Sequence, residues 1–230
     1  MANRKADVNA LIARSERDIV DVRSAYEKAL HDHVISAELR IDIKNLCGNL
    51  RSVLDYLAKD IREKHCPNAS PNARFYFPIL SGANQFQGQM SNWFPGLQAN
   101  CIDIWNYLES VQPYHPAFEW LGNFNHINNE NKHESLVEQT RIENQRVNVS
   151  FGGGSVSWDP SAVSFGPGVF IGGVPVNPNT QMPVPDPSQE VQRIIWVDFR
   201  FDGIDESAIT LLEKSLEGVK RITDHCYQWL

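Results

Sequence analysis

The near absence of helix breakers from the first 65 residues constrains the fold more than any other feature of the sequence. Residues 3–65 contain no proline and one glycine, Gly48. Apolar residues recur there every three or four positions, as they do along the buried face of a helix. The pattern predicts two long amphipathic helices that are joined near residues 31–33, with Ser36 capping the second. One continuous helix is the alternative, and it would be unusually long for a globular domain.

Two shorter helices are predicted in the part of the chain that follows. Pro67 ends the second long helix, because proline cannot continue a helical hydrogen-bond pattern. Residues 67–96 are predicted to form an aromatic-rich loop that packs onto the helices. A third helix is predicted over residues 97–111, with Ile102, Trp105 and Leu108 on its apolar face, and a fourth over residues 116–139.

The composition changes sharply after residue 141. Between Val147 and Asp186 the only charged residue is Asp159, and seven prolines fall between positions 160 and 187. Apolar and polar residues then alternate as they do in a half-buried strand, and three consecutive glycines predict a hairpin turn. The predicted elements are a hairpin over 147–158, short strands near 163–165 and 169–171, a proline-rich loop over 174–190, and a strand over 191–201.

The chain is predicted to end in an amphipathic helix over residues 205–229, with Asp205 as its N-cap. That helix has an apolar stripe, so we expect it to pack back on the first helices. The predicted class is therefore α+β, an antiparallel bundle of about five helices that carries a small antiparallel β-sheet insertion before the C-terminal helix. The predicted boundaries are 1–140 for the bundle, 141–203 for the β-rich insertion and 204–230 for the closing helix.

Charge and hydropathy argue against several classes of partner. The formal net charge is −7 and the basic residues are scattered, so non-specific DNA binding is not expected. No apolar run approaches the roughly 18 residues that span a bilayer. The polar N-terminus does not resemble a signal peptide. We therefore expect a cytoplasmic protein without a membrane segment.

The four cysteines lie far apart, at positions 47, 66, 101 and 226. We expect reduced thiols that pack as small hydrophobic residues. A structural zinc site normally uses ligands in close pairs, and the spacing here does not provide them. No cofactor is predicted.

Residues 123–134 contain five asparagines within the predicted fourth helix. Asparagine is a poor helix former, so its repeated use indicates a role other than helix stability. At about 100° per residue, Asn131 falls on the stripe that carries Trp120, Phe124 and Ile127. The asparagines form either a buried polar network that fixes helix packing or a polar pocket. Asn128 and Asn131 are the candidate ligand-binding residues.

The opposite stripe of the same helix carries His126, Glu130 and His133, at positions i, i+4 and i+7. This spacing places three possible metal ligands on one face. It also contains one Glu-x-x-His, the unit that di-iron helical bundles use in pairs, and no second copy is present. A solvated helix face is the alternative interpretation.

Arg51 and Asp55 stand four residues apart beside the apolar stripe of the second long helix. A pair at this spacing on a helix surface contributes a few tenths of a kcal/mol, roughly 0.2–0.5. If the two residues border the core instead, they are placed to pair with Lys132 or His133.

A family resemblance rests on four segments, residues 50–56, 77–79, 112–114 and 131–133. Together they resemble a group of bacterial and phage helical proteins that are loosely grouped with HEPN-like bundles. The resemblance covers residues 35–138 and implies a helical bundle.

HEPN ribonucleases share an Arg-x4–6-His motif that works in pairs across a dimer. In this chain Asn128 stands five residues before His133, and no arginine lies four to seven residues before it. Arg51 is the alternative source of the cation. The resemblance thus implies His133, Lys132, Arg51 and Asp55 as candidate catalytic residues.

Three functions follow as hypotheses. The first is a non-catalytic binding or interaction module that forms a homo-oligomer and uses a polar Asn/Lys/His pocket for a small anionic ligand, an RNA or a protein partner. The second is a HEPN-related ribonuclease of a defence or toxin system. The third is a metal-dependent enzyme that uses His126, Glu130 and His133.

Overall fold

The computed structural model describes residues 4–32, 34–133, 139–201 and 203–230. Within these ranges it describes side chains outside 131–133, 139–141, 144 and 194–197. The chain divides into two compact units. The bundle unit comprises residues 1–140 and 200–230, and the β unit comprises residues 141–199. The fold is α+β with a closing helix after the strands, which confirms the predicted class.

The two long helices are present as α1 (Arg4–Asp32) and α2 (Ala37–His65), which confirms the prediction from periodicity. Ser36 caps α2, because its Oγ accepts a hydrogen bond from the backbone N–H of Leu39 at 3.1 Å. The helices pack along each other through their apolar faces. The largest part of this core comes from α2, whose fully buried apolar side chains include Leu46, Leu50, Val53, Leu54, Leu57 and Ile61.

The predicted loop over residues 67–96 is wrong in its second half, where α3 (Ala83–Trp93) forms. Phe86 and Met90 lie one turn apart and are fully buried. The Phe86 ring meets the ring of Trp105 edge to face, with centroids 5.5 Å apart. This long-range contact stabilises a helix whose composition, rich in Gln, Asn and Ser, gives little local signal.

The predicted third helix is interrupted and forms α4 (Leu97–Asn100) and α5 (Ile102–Ser110). The break falls at Cys101, whose extended backbone (φ −155°) leaves the helical path. Trp105 and Leu108 are buried as predicted, together with Ile104, whereas Ile102 is 46% exposed and not on the buried face.

The predicted fourth helix is a single turn of 3-10 helix, Pro116–Phe118, followed by α6 (Glu119–His133). The predicted end at residue 139 is wrong, since strand β1 starts at Gln139. Trp120, Phe124 and Ile127 are buried as predicted. Asn131, on the same stripe, lies outside the described side chains.

The last helix is α7 (Ala208–Cys226), and it packs against α1, α2 and α6. Its stripe of buried apolar residues confirms the predicted amphipathic pattern. The prediction of Asp205 as N-cap is wrong. The helix begins three residues later, at Ala208, and the Asp205 carboxylate instead pairs with Arg200.

The β unit contains two three-stranded sheets. The first has the order β2-β1-β6. The second has the order β3-β4-β5 and its strands are antiparallel. Val147, Val149, Trp158, Ile171 and Val176 form the core of the unit. The strands are β1 (Gln139–Phe151), β2 (Gly154–Trp158), β3 (Phe170–Ile171), β4 (Val174–Asn177), β5 (Met182–Pro183) and β6 (Gln189–Phe201).

The hairpin and the last strand of the β unit match the sequence predictions, and the middle does not. β1 and β2 are antiparallel with Val147 opposite Trp158, as predicted. The short strand predicted near 163–165 does not form, and the proline-rich segment 174–190 contains β4 and β5 instead of being a loop. Pro183 lies in the edge strand β5, where a proline costs little because an edge strand leaves one row of backbone groups unpaired, whereas Pro175 lies in the central strand β4.

No helix of the described chain is both long and apolar enough to cross a membrane.

Candidate functional site

A partly buried ion pair lies at the centre of the candidate site. Arg51 on α2 is 8% exposed. Its Nε and Nη2 atoms lie 3.3 and 3.1 Å from the two carboxylate oxygens of Asp55, one turn further along the helix. The pair therefore borders the core and is not the surface pair that the sequence also allowed. A buried guanidinium requires such a partner, because an unpaired buried charge is costly.

The ion pair also holds a distant part of the chain. Asp55 Oδ1 accepts a hydrogen bond from the backbone N–H of Phe77 at 3.1 Å, and Arg51 Nη2 donates to the Phe77 carbonyl at 3.4 Å. The fully buried Gln112 binds the next residues of the same segment. Its Oε1 accepts a hydrogen bond from Leu80 N at 2.9 Å, and its Nε2 donates one to Pro78 O at 3.1 Å. Residues 77–80, in the second half of the irregular segment after α2, are thereby fixed to α2 and to Gln112.

Three of the four segments that carry the family resemblance thus meet at one place, namely 50–56, 77–79 and 112–114. The fourth, residues 131–133, lies outside the described side chains. The predicted catalytic roles of Lys132 and His133, together with their pairing to Arg51 and Asp55, stay predictions for that reason. The same holds for Asn131 as a ligand-binding residue.

The asparagine-rich helix α6 contributes two buried or half-buried amides. Asn125 Oδ1 accepts a hydrogen bond from Arg51 Nη1 at 3.2 Å and joins the polar network. Asn128 is only 2% exposed, and its Nδ2 has no hydrogen-bond partner among the described residues. An unsatisfied buried donor costs about 1–3 kcal/mol and calls for an explanation. The helix therefore contains both a satisfied network and an unsatisfied donor.

Asn128 lies in the wall of a cavity of about 750 Å³ between α1, α2 and α6, which we name the Gly48 cavity. A methyl group added at Gly48 would meet no atom within 4 Å, so the helix backbone itself forms part of the wall. The lining residues are Arg14, Asp18, Lys44, Asn45, Gly48, Asn49, Arg51, Ser52, Asp55 and Asn128.

The charges of the Gly48 cavity do not balance. Asp18 holds Arg14, with 2.7 Å between Arg14 Nε and Asp18 Oδ1, and Asp55 holds Arg51. The exposed Lys44 supplies the remaining charge, so among the described lining residues three cations face two carboxylates. These described residues therefore carry an excess of one positive charge, in a protein whose net charge is −7.

A second cavity, of about 430 Å³, shares Arg51 with the first, and we name it the Tyr76 cavity. Tyr76 and Trp93 form an aromatic corner, with ring centroids 6.2 Å apart and planes at 79°. The remaining lining residues are Phe77, Ile79, Asn125 and Asn129.

The predicted metal face is described only in part. His126 Nε2 lies 3.4 Å from Glu130 Oε1, and the two side chains are 52% and 39% exposed. Among the described residues no group of three His, Cys, Asp or Glu side chains is placed to hold a metal. The third predicted ligand, His133, lies outside the described side chains, so the metal hypothesis stays a prediction.

The cysteines are buried and unpaired, which confirms that they pack as small hydrophobic residues. Burial raises the pKa of the Cys47 and Cys226 thiols to about 12 and that of Cys66 to about 11. These thiols stay protonated near neutral pH and are poor nucleophiles there.

The sequence analysis missed Gly48, Tyr76, Trp93, Asn125 and Asn129 as site residues. Gly48 carried a usable signal, because it is the one glycine in residues 3–65. The chain matches no protein-family profile, and neither curated proteins nor solved structures gave a significant match.

Proposed function

We propose that this protein is a non-catalytic binding module that holds a small anionic ligand in the Gly48 cavity. The observation that carries the proposal is the buried Nδ2 of Asn128, which lines the cavity and has no acceptor among the described residues. An oxygen of a bound anion would satisfy this donor. Binding would then recover the free energy that the unsatisfied amide costs the protein.

The size and the wall of the cavity support the same function. Cavities that hold small ligands commonly measure about 300–1,000 Å³, and this one measures about 750 Å³. A mid-helix glycine destabilises a helix by roughly 0.5–1 kcal/mol relative to alanine. Gly48 lets a ligand approach the backbone of α2, which gives a reason for that cost.

The charge distribution favours a small anion over a polyanion. Lys44 provides the excess positive charge of the cavity, while the protein as a whole is negative. A long polyanion is repelled by the net charge of −7, whereas a small anion feels mainly the local field.

The side chains described in the Gly48 cavity favour binding over catalysis. Arg51 is already compensated by Asp55 and is fixed by Asn125 and Phe77. Within the described side chains, the cavity wall contains no histidine or cysteine that would serve as a general base or nucleophile. We also propose a cytoplasmic location, since unpaired thiols are typical of proteins in a reducing compartment.

The test is isothermal titration with inorganic phosphate, sulfate and citrate at constant ionic strength. We expect saturable binding of at least one anion by the native protein, and a large loss in Lys44→Ala and Asn128→Leu. Asn128→Leu should also melt at a higher temperature than the native protein without ligand, because it removes the unsatisfied amide. Lys28→Ala is the matched control, because it removes an exposed lysine of α1 that does not line the cavity, and it should bind these anions as the native protein does.

The proposal fails if none of these anions binds at millimolar concentration. It also fails if the anions bind to Lys44→Ala and Asn128→Leu as they do to the native protein. If Asn128→Leu melts at a lower temperature than the native protein, the Nδ2 of Asn128 already has a hydrogen-bond acceptor. The proposal would then lose the observation on which it rests.

A further inference from the structure

The Tyr76 cavity has a different chemistry from the Gly48 cavity. Tyr76 is 52% exposed and its ring contacts the ring of Trp93, so part of the aromatic surface is accessible to a ligand. With the ring of Trp93 at 79° to it, the pair forms two perpendicular apolar walls. A flat ring that stacks on one wall meets the other edge-on, and both arrangements are favourable for aromatic rings.

Helix α6 lines the cavity with carboxamides. Asn125 and Asn129 stand one helical turn apart, so they lie on the same face of α6. Because Asn125 Oδ1 is engaged by Arg51, its Nδ2 is the group left to donate to a ligand. The exposed Asn129 offers both a donor and an acceptor. The cavity thus presents a row of hydrogen-bonding groups beside an aromatic corner.

We propose that the Tyr76 cavity binds the planar ring of a nucleobase, supplied as a free nucleoside or nucleotide. A nucleobase has a π face for Tyr76 or Trp93 and adjacent donors and acceptors on its edge. An asparagine carboxamide pairs with adenine through two hydrogen bonds, to the exocyclic amine and to N7. Asn129 is the residue that fits this role, and adenine is the base that we expect to bind best.

The surrounding charges favour a free nucleoside or nucleotide over a nucleic acid strand. Single-stranded nucleic acid is held by a positively charged groove that follows the backbone. Among the described side chains that line the Tyr76 cavity, the one cation is Arg51, which Asp55 compensates. The net charge of −7 acts against a strand as well.

The experiment is a titration with adenosine, purine riboside, cytidine, uridine and ribose, followed by calorimetry and by tryptophan fluorescence. These ligands carry no charge, so the result is independent of the proposed anion site. We expect adenosine to bind best, purine riboside to bind more weakly because it lacks the exocyclic amine, and ribose not to bind.

Variants identify the site. Loss of one aromatic stacking partner corresponds to about a 5- to 140-fold loss of affinity, and we expect that loss in Tyr76→Ala. Tyr76→Phe should retain binding, since it keeps the ring. Asn129→Ala should abolish the preference for adenosine over purine riboside. Phe170→Ala, which removes an exposed ring in the β unit, is the control and should bind as the native protein does.

The proposal is overturned if no nucleoside binds saturably at millimolar concentration, or if Tyr76→Ala binds adenosine normally. Binding of a ten-nucleotide single-stranded RNA without binding of any nucleoside would also overturn it. Lys44→Ala should bind adenosine as the native protein does, so failure here and failure of the anion site are distinguishable.

Discussion

Two glycines in the bundle unit should respond to the same substitution in opposite directions. Gly218 on α7 lies where the helix meets the ring of Trp120 on α6. A Cβ atom at Gly218 would lie 2.8 Å from Trp120 Cε2 and closer still to Cζ2 and Cη2. Trp120 is 9% exposed and rigid, so the two helices must move apart to admit the methyl group. At Gly48 the same methyl group meets nothing within 4 Å.

The magnitudes follow from these contacts. Overpacking of a core costs typically about 1–3 kcal/mol, and a direct overlap with an indole ring belongs at the upper end. Alanine recovers about 1 kcal/mol of helix propensity, which leaves a net loss of about 2 kcal/mol for Gly218→Ala. Gly48→Ala should gain about 0.5–1 kcal/mol. For a chain of this size, 1 kcal/mol moves the melting temperature by about 2–4 °C. We therefore expect a fall of about 4–8 °C for Gly218→Ala and a rise of about 1–4 °C for Gly48→Ala.

The assay is thermal and urea unfolding of both variants, followed by helical circular dichroism. A double-mutant cycle with Trp120→Leu isolates the contact, because the smaller side chain leaves room for the methyl group. In that background Gly218→Ala should lose most of its destabilising effect. A Gly218→Ala variant as stable as the native protein would refute the close approach of α6 and α7. A destabilised Gly48→Ala would show that the wall of the Gly48 cavity is filled.

Three further predictions concern other parts of the bundle unit. Since burial raises the pKa of the Cys47 and Cys226 thiols to about 12, a thiol reagent at pH 8 should label these cysteines only at the rate of unfolding, and rapid labelling of the native protein would contradict this. Burial also raises the pKa of Tyr107 to about 12, above the value near 10 of an unfolded chain. The folded state then favours the neutral phenol, so this contribution to stability is present below about pH 10 and is lost as the pH rises towards 12. Urea midpoints measured between pH 9 and 11.5 should fall, less steeply in Tyr107→Phe, and an equal slope in both proteins would count against the assignment. Finally, Ser36→Ala should destabilise the protein by about 0.5–2 kcal/mol through loss of the cap on α2, and Ser36→Asp should restore most of it.

The fold was predictable where the determining interactions are local. Helices α1 and α2 follow from apolar periodicity and from the absence of proline within residues 3–65. The Ser36 cap acts over three residues, and the hairpin of β1 and β2 is specified by its alternation and its glycines. Each of these signals lies within a short window, so the sequence alone carries it.

Other elements depend on contacts that no short window contains. Helix α3 is stabilised by the burial of Phe86 against Trp105, and the extended residue Cys101 separates α4 from α5. Strands β4 and β5 form in a segment whose prolines predict a loop, because β4 pairs with β3 along one edge and with β5 along the other.

The candidate site divides in the same way. The helical spacing of Arg51 and Asp55 determined that they pair, and the asparagine-rich composition singled out α6. Only the tertiary structure decided that Arg51 is buried, because its other partners, Phe77 and Asn125, lie 26 and 74 residues away. Periodicity is a property of a few neighbouring residues, whereas a cavity forms where distant segments meet, and its lining is set by how the helices pack.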